Sequence, residues 1–306
     1  MRKQPPFRLG SPVPAHLYVG RRRQLEQIGR AIKAKQHVLI YGSRYIGKTS
    51  TINTVQELIK DEEDKVLRLR LESLTSEYQS LFFLFRKLVL DICCILLEQN
   101  DEGSSFVVRI PASNVSIEHK RVDDFEPNCY DLYKIVDAIM LMAQQREYTK
   151  LVLFIDNINR NLGCLVSEEG EQILRFLSEK NIVIVASARE DDYKKLYRDT
   201  SCLAPVKIGG FDSSDDVIEL LELYTNPPLY NEPKLNFPRE VINLIWEITD
   251  GYPSPVQEIF YRCYLESSML GLTEVSKEMV EKIVLDRSKY LFSFVNRPRR
   301  ESDAQV

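Results

Sequence analysis

Apolar positions along this chain follow two rhythms, and the change between them divides it. Up to about residue 208, short apolar runs alternate with stretches of helical spacing. Val38-Leu39-Ile40-Tyr41 is a run suited to a buried strand, and Lys65 to Leu71 alternates charged and apolar residues with the period of a strand. Leu151 to Ile155 and Ile182 to Ala186 are further continuous apolar runs, and Pro205 to Ile208 suits a short last strand. Between them, Leu25, Ile28 and Ile32 fall on one side of a helix, as do Ile52, Val55, Leu58 and Ile59. Ser76 to Leu97, Tyr130 to Gln145 and Glu171 to Glu179 also read as helices. Gln99 to Asn128 has no helical period, and Phe106 to Ile110 and Asn114 to Glu118 suit a small hairpin around Pro111-Ala112. Strands near 38, 66, 151, 182 and 206 with helices between them predict an α/β fold built on a parallel sheet flanked by helices.

From Gly209 onward the pattern is helical only. Asp212 or Ser213 is placed to cap a helix reaching Tyr224, with Val217, Leu220, Leu221 and Tyr224 inward. Asn226-Pro227-Pro228 ends it. Pro238 suits the first turn of a helix over Val241 to Thr249, and Gly251 a left-handed stop. Ser254-Pro255-Val256-Gln257 reads as a capping box opening a helix to Leu270, and Ser276 to Asp286 forms one more. The expected organisation is an extended arm over 1–14, broken by Pro5, Pro6, Pro12 and Pro14, a sheet domain over 15–208, a small all-helical lid over 209–292, and a flexible basic tail over 293–306.

Composition narrows the classes. With 306 residues, 44% of them hydrophobic, the chain can bury a substantial core. The formal charge of −4 supplies no global basic field for nucleic acid. The 6 Cys have irregular spacing with no CxxC, and His16, His37 and His119 stand apart, so a zinc site is not expected. Cys93 and Cys94, in an apolar helical run, read as buried thiols. No run approaches the roughly 18 apolar residues of a membrane span, and the basic start has no apolar signal segment, so a cytoplasmic protein is expected.

The chemistry concentrates after the first apolar run. Gly42-Ser43-Arg44-Tyr45-Ile46-Gly47-Lys48-Thr49, continued by Ser50, lies between a strand and a helix. That context is what a phosphate-binding loop requires. Gly42 and Gly47 let the backbone turn so that successive N–H groups face an anion. The helix start adds its positive dipole end. Lys48 supplies a cation for the β/γ-phosphates, and the Thr49 hydroxyl is placed to hold Mg²⁺. The strand Leu151 to Ile155 ends in Asp156, which is expected to hold Mg²⁺ opposite Thr49. Many ATPases follow this Asp with an acid that activates water, whereas this chain has Asn157, which can orient a water but cannot take its proton. Ser187 and Arg189, at the end of the next strand, are expected to face the γ-phosphate, with Arg189 stabilising charge there.

Val19-Gly20-Arg21 with Gln24-Leu25, the glycine loop, Leu151 to Asp156, Ala186-Ser187-Ala188-Arg189 and Gly251-Tyr252-Pro253 occur in one order along the chain. Together they resemble the archaeal-type P-loop ATPases of the STAND group, within the AAA+ class related to replication-initiator ATPases. The resemblance covers about residues 15 to 290. It implies ATP/ADP and Mg²⁺ as cofactors, Val19, Gly20 and Arg21 lining an adenine pocket, and Tyr252 and Pro253 closing over base or ribose. The chain departs from it at Asn157. It also has Ser254 and Pro255 where the initiator branch carries a lid arginine.

Three roles are compatible with these residues. One is a slowly hydrolysing nucleotide switch that controls a protein partner or its own assembly into a homo-oligomer, with Arg160 or Arg198 as candidates to reach a neighbour. The second is a DNA-associated ATPase of transposition-regulator or loader type, using arginines 21–23 and the basic tail. The third is a scaffold that holds ATP without hydrolysing it. The switch is the favoured expectation, and DNA is not.

Overall fold

The computed structural model describes residues 11–59, 66–71, 107–109, 116–118, 129–145, 147–158, 162–195, 202–225 and 235–291. The long helix expected over Ser76 to Leu97, the hairpin tip, Arg160, Arg198 and the basic tail lie outside them. The chain divides into two compact units. One comprises residues 27–41 and 56–206, and the other residues 1–26, 42–55 and 207–306.

The first unit carries a five-stranded sheet. Its strands are β1 (His37–Gly42), β2 (Val66–Leu71), β5 (Lys150–Ile155), β6 (Ile182–Arg189) and β7 (Leu203–Lys207), in the order β2-β5-β6-β1-β7. β2 and β5 pair in parallel, as do β5 and β6. The expected strands are all present, and β7 begins at Leu203, ahead of Pro205. Every residue of β5, and Ile182 to Ala188 of β6, is buried. Strands covered on both faces read as unbroken apolar runs for this reason. The hairpin is also formed, with β3 (Val107–Arg109) antiparallel to β4 (Ser116–Glu118) and Val108 opposite Ile117.

Among the described residues, three longer helices contribute to this unit: most of α1 (Arg22–Lys33), α3 (Cys129–Gln145) and α5 (Glu168–Glu179). The short α4 (Leu162–Leu165) and α6 (Glu190–Lys195) connect elements. α5 starts where Ser167 accepts a hydrogen bond from the Gly170 N–H at 3.1 Å, with three glutamates in its first turn against the helix dipole. Its Ile173, Leu174 and Leu177 are buried.

The second unit holds four helices in its C-terminal part: α7 (Ser214–Thr225), α8 (Arg239–Thr249), α9 (Pro253–Leu270) and α10 (Lys277–Leu291). Val217, Leu220 and Leu221 are buried as expected, together with Ile245, Val256, Ile259, Phe260 and Val280. Several local details differ from the sequence reading. Pro238 sits outside α8 as its N-cap. α8 ends on Asp250 in the left-handed region (φ 51°), with Gly251 following at φ 66°. α9 opens at Pro253 after Tyr252, and no side chain caps it, so Ser254 makes no capping box. Pro253 and Pro255, at the first and third helical positions, have no N–H, which leaves fewer orphan donors for a cap to satisfy.

α2 (Lys48–Leu58) shows a further correction. Ile52, Val55 and Ile59 face inward, but Leu58 is 52% exposed. Thr51 and Thr54 are buried instead, and each turns its hydroxyl onto a carbonyl four residues back.

Candidate functional site

The predicted site residues fall in both units. In the unit containing the four helices, the glycine loop joins β1 to α2. Gly47 has φ +100°, a backbone that side chains rarely adopt, and a Cβ built there would lie 3.0 Å from a guanidinium nitrogen of Arg21. Gly42 has a different need from the one expected: its φ is not positive, but a Cβ would lie 2.5 Å from the Ile208 carbonyl oxygen. It is a glycine of close approach, not of turning. Tyr45 takes the left-handed conformation within the loop (φ 61°), and the Arg44 guanidinium lies 4.9 Å from its ring centre. Ile46 is fully buried and anchors the loop from within.

Lys48 Nζ donates to the carbonyls of Gly42 at 3.1 Å and Ser43 at 2.8 Å, which holds the ammonium over the loop. Ser50 is buried, and its hydroxyl accepts the Val13 N–H at 3.1 Å, so the end of the N-terminal arm is pinned to α2. The Tyr18 hydroxyl meets the Thr51 hydroxyl at 2.7 Å.

Val19 is 4% exposed and belongs to the apolar core of the helices, beside Phe211 and Val217. Gly20 (φ +70°) leaves space that the Asp216 carboxylate occupies, 3.1 Å from where a Cβ would stand. Arg21 is buried at φ +58°. Its Nε and Nη2 both donate to the Gly209 carbonyl, at 3.1 and 2.9 Å, and Tyr18 and Phe211 present their rings to it. The guanidinium thus ties the segment before α1 to the residue that follows Ile208, ahead of the four helices. Tyr252 turns its hydroxyl to the Ser43 hydroxyl at 3.2 Å, directly on the glycine loop, and Pro253 follows as the first residue of α9.

The sheet unit holds Asp156, Asn157, Ser187 and Arg189. Ile155 lies opposite Ala186 in the parallel register, so residues 156 and 187 come next to each other at the strand ends. The Ser187 hydroxyl donates to Asp156 Oδ1 at 2.5 Å and accepts the Asn157 N–H at 2.9 Å. The Ser187 carbonyl accepts the Ile158 N–H at 2.8 Å. Ser187 is fully buried, and its hydroxyl serves the acid. Asn157 is exposed with φ +65°, where Asn is among the best tolerated of residues with side chains. Arg189 is exposed at the end of β6.

A residue the sequence reading passed over supports this arrangement. His37 opens β1 and is buried. Its Nδ1 accepts the Ile184 N–H at 2.9 Å, and its Nε2 lies 2.6 Å from the Leu174 carbonyl and 2.9 Å from the Ser178 hydroxyl. This fixes the neutral tautomer with the proton on Nε2. Burial pushes the imidazole down to about 4, against the raising effect of the Leu174 carbonyl. The only sequence hint was a lone histidine at the head of an apolar strand.

The sheet order has a direct meaning for the site. β6 stands between the strand that leads into the glycine loop and the strand that ends at Asp156. Solved structures share the fold. A Walker-type ATPase of Pyrococcus abyssi is similar with a TM-score of 0.55 and 16% identity, over 94% of this chain and 77% of that one. The ADP form of the Aeropyrum pernix ORC2 protein is similar with a TM-score of 0.51 and 14% identity, over 92% and 72%. The fold is the α/β fold of P-loop ATPases. No protein-family model and no curated protein matches the sequence.

The donor set of this P-loop fold suits a nucleoside triphosphate with Mg²⁺. In the helical unit the loop offers the N–H groups at the start of α2, one ammonium and the partly exposed Thr49 hydroxyl; in the sheet unit Asp156 is a partly exposed carboxylate, an oxygen donor of the hard type that Mg²⁺ takes. No helix among the described residues is long and apolar enough to cross a membrane.

Proposed function

We propose that this chain is an ATP-dependent conformational switch of the STAND type, in which the helical lid reports the state of the glycine loop to a protein partner or a second copy. One observation carries the reading: the loop is built into the helical unit. Ser43 meets Tyr252, Gly42 packs on the Ile208 carbonyl, and Arg21 joins Gly209 to the space beside Gly47. A ligand that reorganises the loop therefore acts on the lid through short, direct contacts, and it shifts the lid by its difference in affinity for the two arrangements.

In this reading Lys48 leaves the Gly42 and Ser43 carbonyls for the β/γ-phosphates, and the amides from Gly47 to Ser50 hold the phosphate oxygens. Thr49 and Asp156 are the residues that would hold Mg²⁺, which neutralises phosphate charge when bound. Asn157 orients water without accepting its proton, so phosphate release is slow. Arg189 stabilises charge on the terminal phosphate.

The DNA reading loses support at its own residues. Arg21 is buried on Gly209, which takes it out of the basic stripe available to phosphates. The scaffold reading rests on Asn157 alone, and any measurable phosphate release separates it from the switch.

The test is hydrogen exchange over residues 239–291 with and without ATP and Mg²⁺. Slower exchange with nucleotide is expected in the natural protein and is lost in Lys48→Ala. Identical exchange in the two conditions, with nucleotide shown to be bound, would refute the switch.

A further inference from the structure

We infer that Tyr18 is a positioning residue of the glycine loop: it holds the Gly47 carbonyl through the Thr51 hydroxyl, without itself touching nucleotide. The inference rests on the proposed nucleotide site and adds a group, outside the loop, that sets the loop's conformation.

α2 buries polar side chains near its start. Ser50 is 7% exposed and Thr51 not at all. Both meet the segment that precedes α1. The Ser50 hydroxyl accepts the Val13 N–H at 3.1 Å, and the Thr51 hydroxyl lies 2.7 Å from that of Tyr18. The direction of the second bond follows from a third. Thr51 Oγ1 donates its one proton to the Gly47 carbonyl at 3.1 Å, and a carbonyl can only accept. Tyr18 therefore supplies the proton between the two hydroxyls, and the chain runs from Tyr18 to Thr51 to Gly47. Bonds linked in this way polarise and strengthen one another, more so where water is excluded.

The Gly47 carbonyl accepts twice from one residue, from the Thr51 N–H at 2.9 Å and from the Thr51 hydroxyl. Both bonds draw it along the axis of α2. In a trans peptide the C=O and the following N–H are opposed, so the Lys48 N–H is directed out of the helix start, where an anion would sit. A glycine at φ +100° has many other conformations open to it, so the hold has to come from its neighbours. Arg21 adds to it. A guanidinium nitrogen stands 3.0 Å from where a Gly47 Cβ would be, and the guanidinium carbon lies 5.9 Å from the centre of the Tyr18 ring. The segment from Val13 to Arg21 thus meets the loop and its helix at Gly47, Ser50 and Thr51, and Tyr18 is the member that reaches the loop backbone through a proton.

The experiment displaces a fluorescent ATP analogue with ADP and with adenosine. It uses the natural protein, Tyr18→Phe, Thr51→Val, Thr51→Ser and the Tyr18→Phe/Thr51→Val double variant, with circular dichroism as the check on folding. Tyr18→Phe keeps the ring beside Arg21 and removes only the donor. Its ADP affinity is expected to fall about three- to ten-fold, the range that one intramolecular hydrogen bond spans. Adenosine affinity stays within about two-fold, because adenosine has no phosphate for the loop to hold, whereas a general loosening of the fold would lower both. Thr51→Val loses at least as much ADP affinity, and Thr51→Ser, which keeps the hydroxyl, stays within about two-fold of the natural protein. The double variant matches Thr51→Val, because Tyr18 acts through that hydroxyl. If Tyr18→Phe does not fold, Thr51→Val against Thr51→Ser carries the test. A folded Tyr18→Phe or Thr51→Val with natural ADP affinity, equal losses for ADP and adenosine, or a double variant that sums the two single losses overturns the inference and leaves the nucleotide site standing. A natural protein that binds no nucleotide overturns both.

Discussion

Acidification is the perturbation whose size follows most directly from the structure. His37 is neutral in the fold, its Nδ1 facing the Ile184 N–H, and a proton there would set two donors against each other. Burial lowers its titration from 6.5 to about 4. Above pH 6.5 both folded and unfolded chains carry a neutral ring, and stability does not depend on it. Between 6.5 and 4 the unfolded chain takes a proton that the folded chain refuses, so stability falls as the pH falls. Linkage over that interval gives about 2 kcal/mol lost by pH 5, and about 3 kcal/mol once the pH is below 4. His37→Asn keeps an acceptor near the Ile184 N–H but leaves the Leu174 carbonyl unpaired. It should cost about 1–3 kcal/mol at pH 7.5 and titrate no further at this position. Urea unfolding of both proteins from pH 7.5 to 4.5 reads the difference, and ionisations elsewhere cancel between them. The gap should narrow by about 2 kcal/mol between pH 7.5 and 5. Parallel profiles would refute the argument, because the buried ring would then not be excluding a proton. Exchange of the Ile184 amide supplies a local readout, since it donates directly to the ring.

Three further outcomes are expected. Asn157→Asp and Asn157→Glu should both raise slow phosphate release; the Glu variant should also lose about 1 kcal/mol of stability to its left-handed backbone, which Asp tolerates, and an unchanged rate in both would place the base elsewhere. Gly42→Ala should destabilise by about 1–3 kcal/mol in urea unfolding, because its methyl would meet the Ile208 carbonyl at 2.5 Å, and a variant of natural stability would show that the strand end is free to move. Burial raises the Cys263 thiol to about 12, so mass labelling at pH 8 should leave it unmodified in the fold and modify it only on unfolding; labelling of the native protein would contradict its burial.

Much of this protein was written locally. The strands at 37, 150 and 182 announce themselves because a strand buried on both faces must be apolar throughout, the strand at 66 shows itself by alternation, and the four C-terminal helices show their period because each buries one stripe. The glycine loop was legible for the same reason: its backbone conformations and its lysine are demanded within eight residues. What the sequence left open were relations between residues far apart. Gly42 reads as a turning residue until the Ile208 carbonyl stands against it. Arg21 reads as part of a basic run, yet it is buried on a carbonyl 188 residues away. Ser187 reads as a group facing a ligand, and only the register of two parallel strands turns it onto Asp156. Such pairings depend on strand order and on which hydrophobic faces meet. Spacing along a chain carries the period of each element, while the partner across the sheet is chosen only when the elements pack.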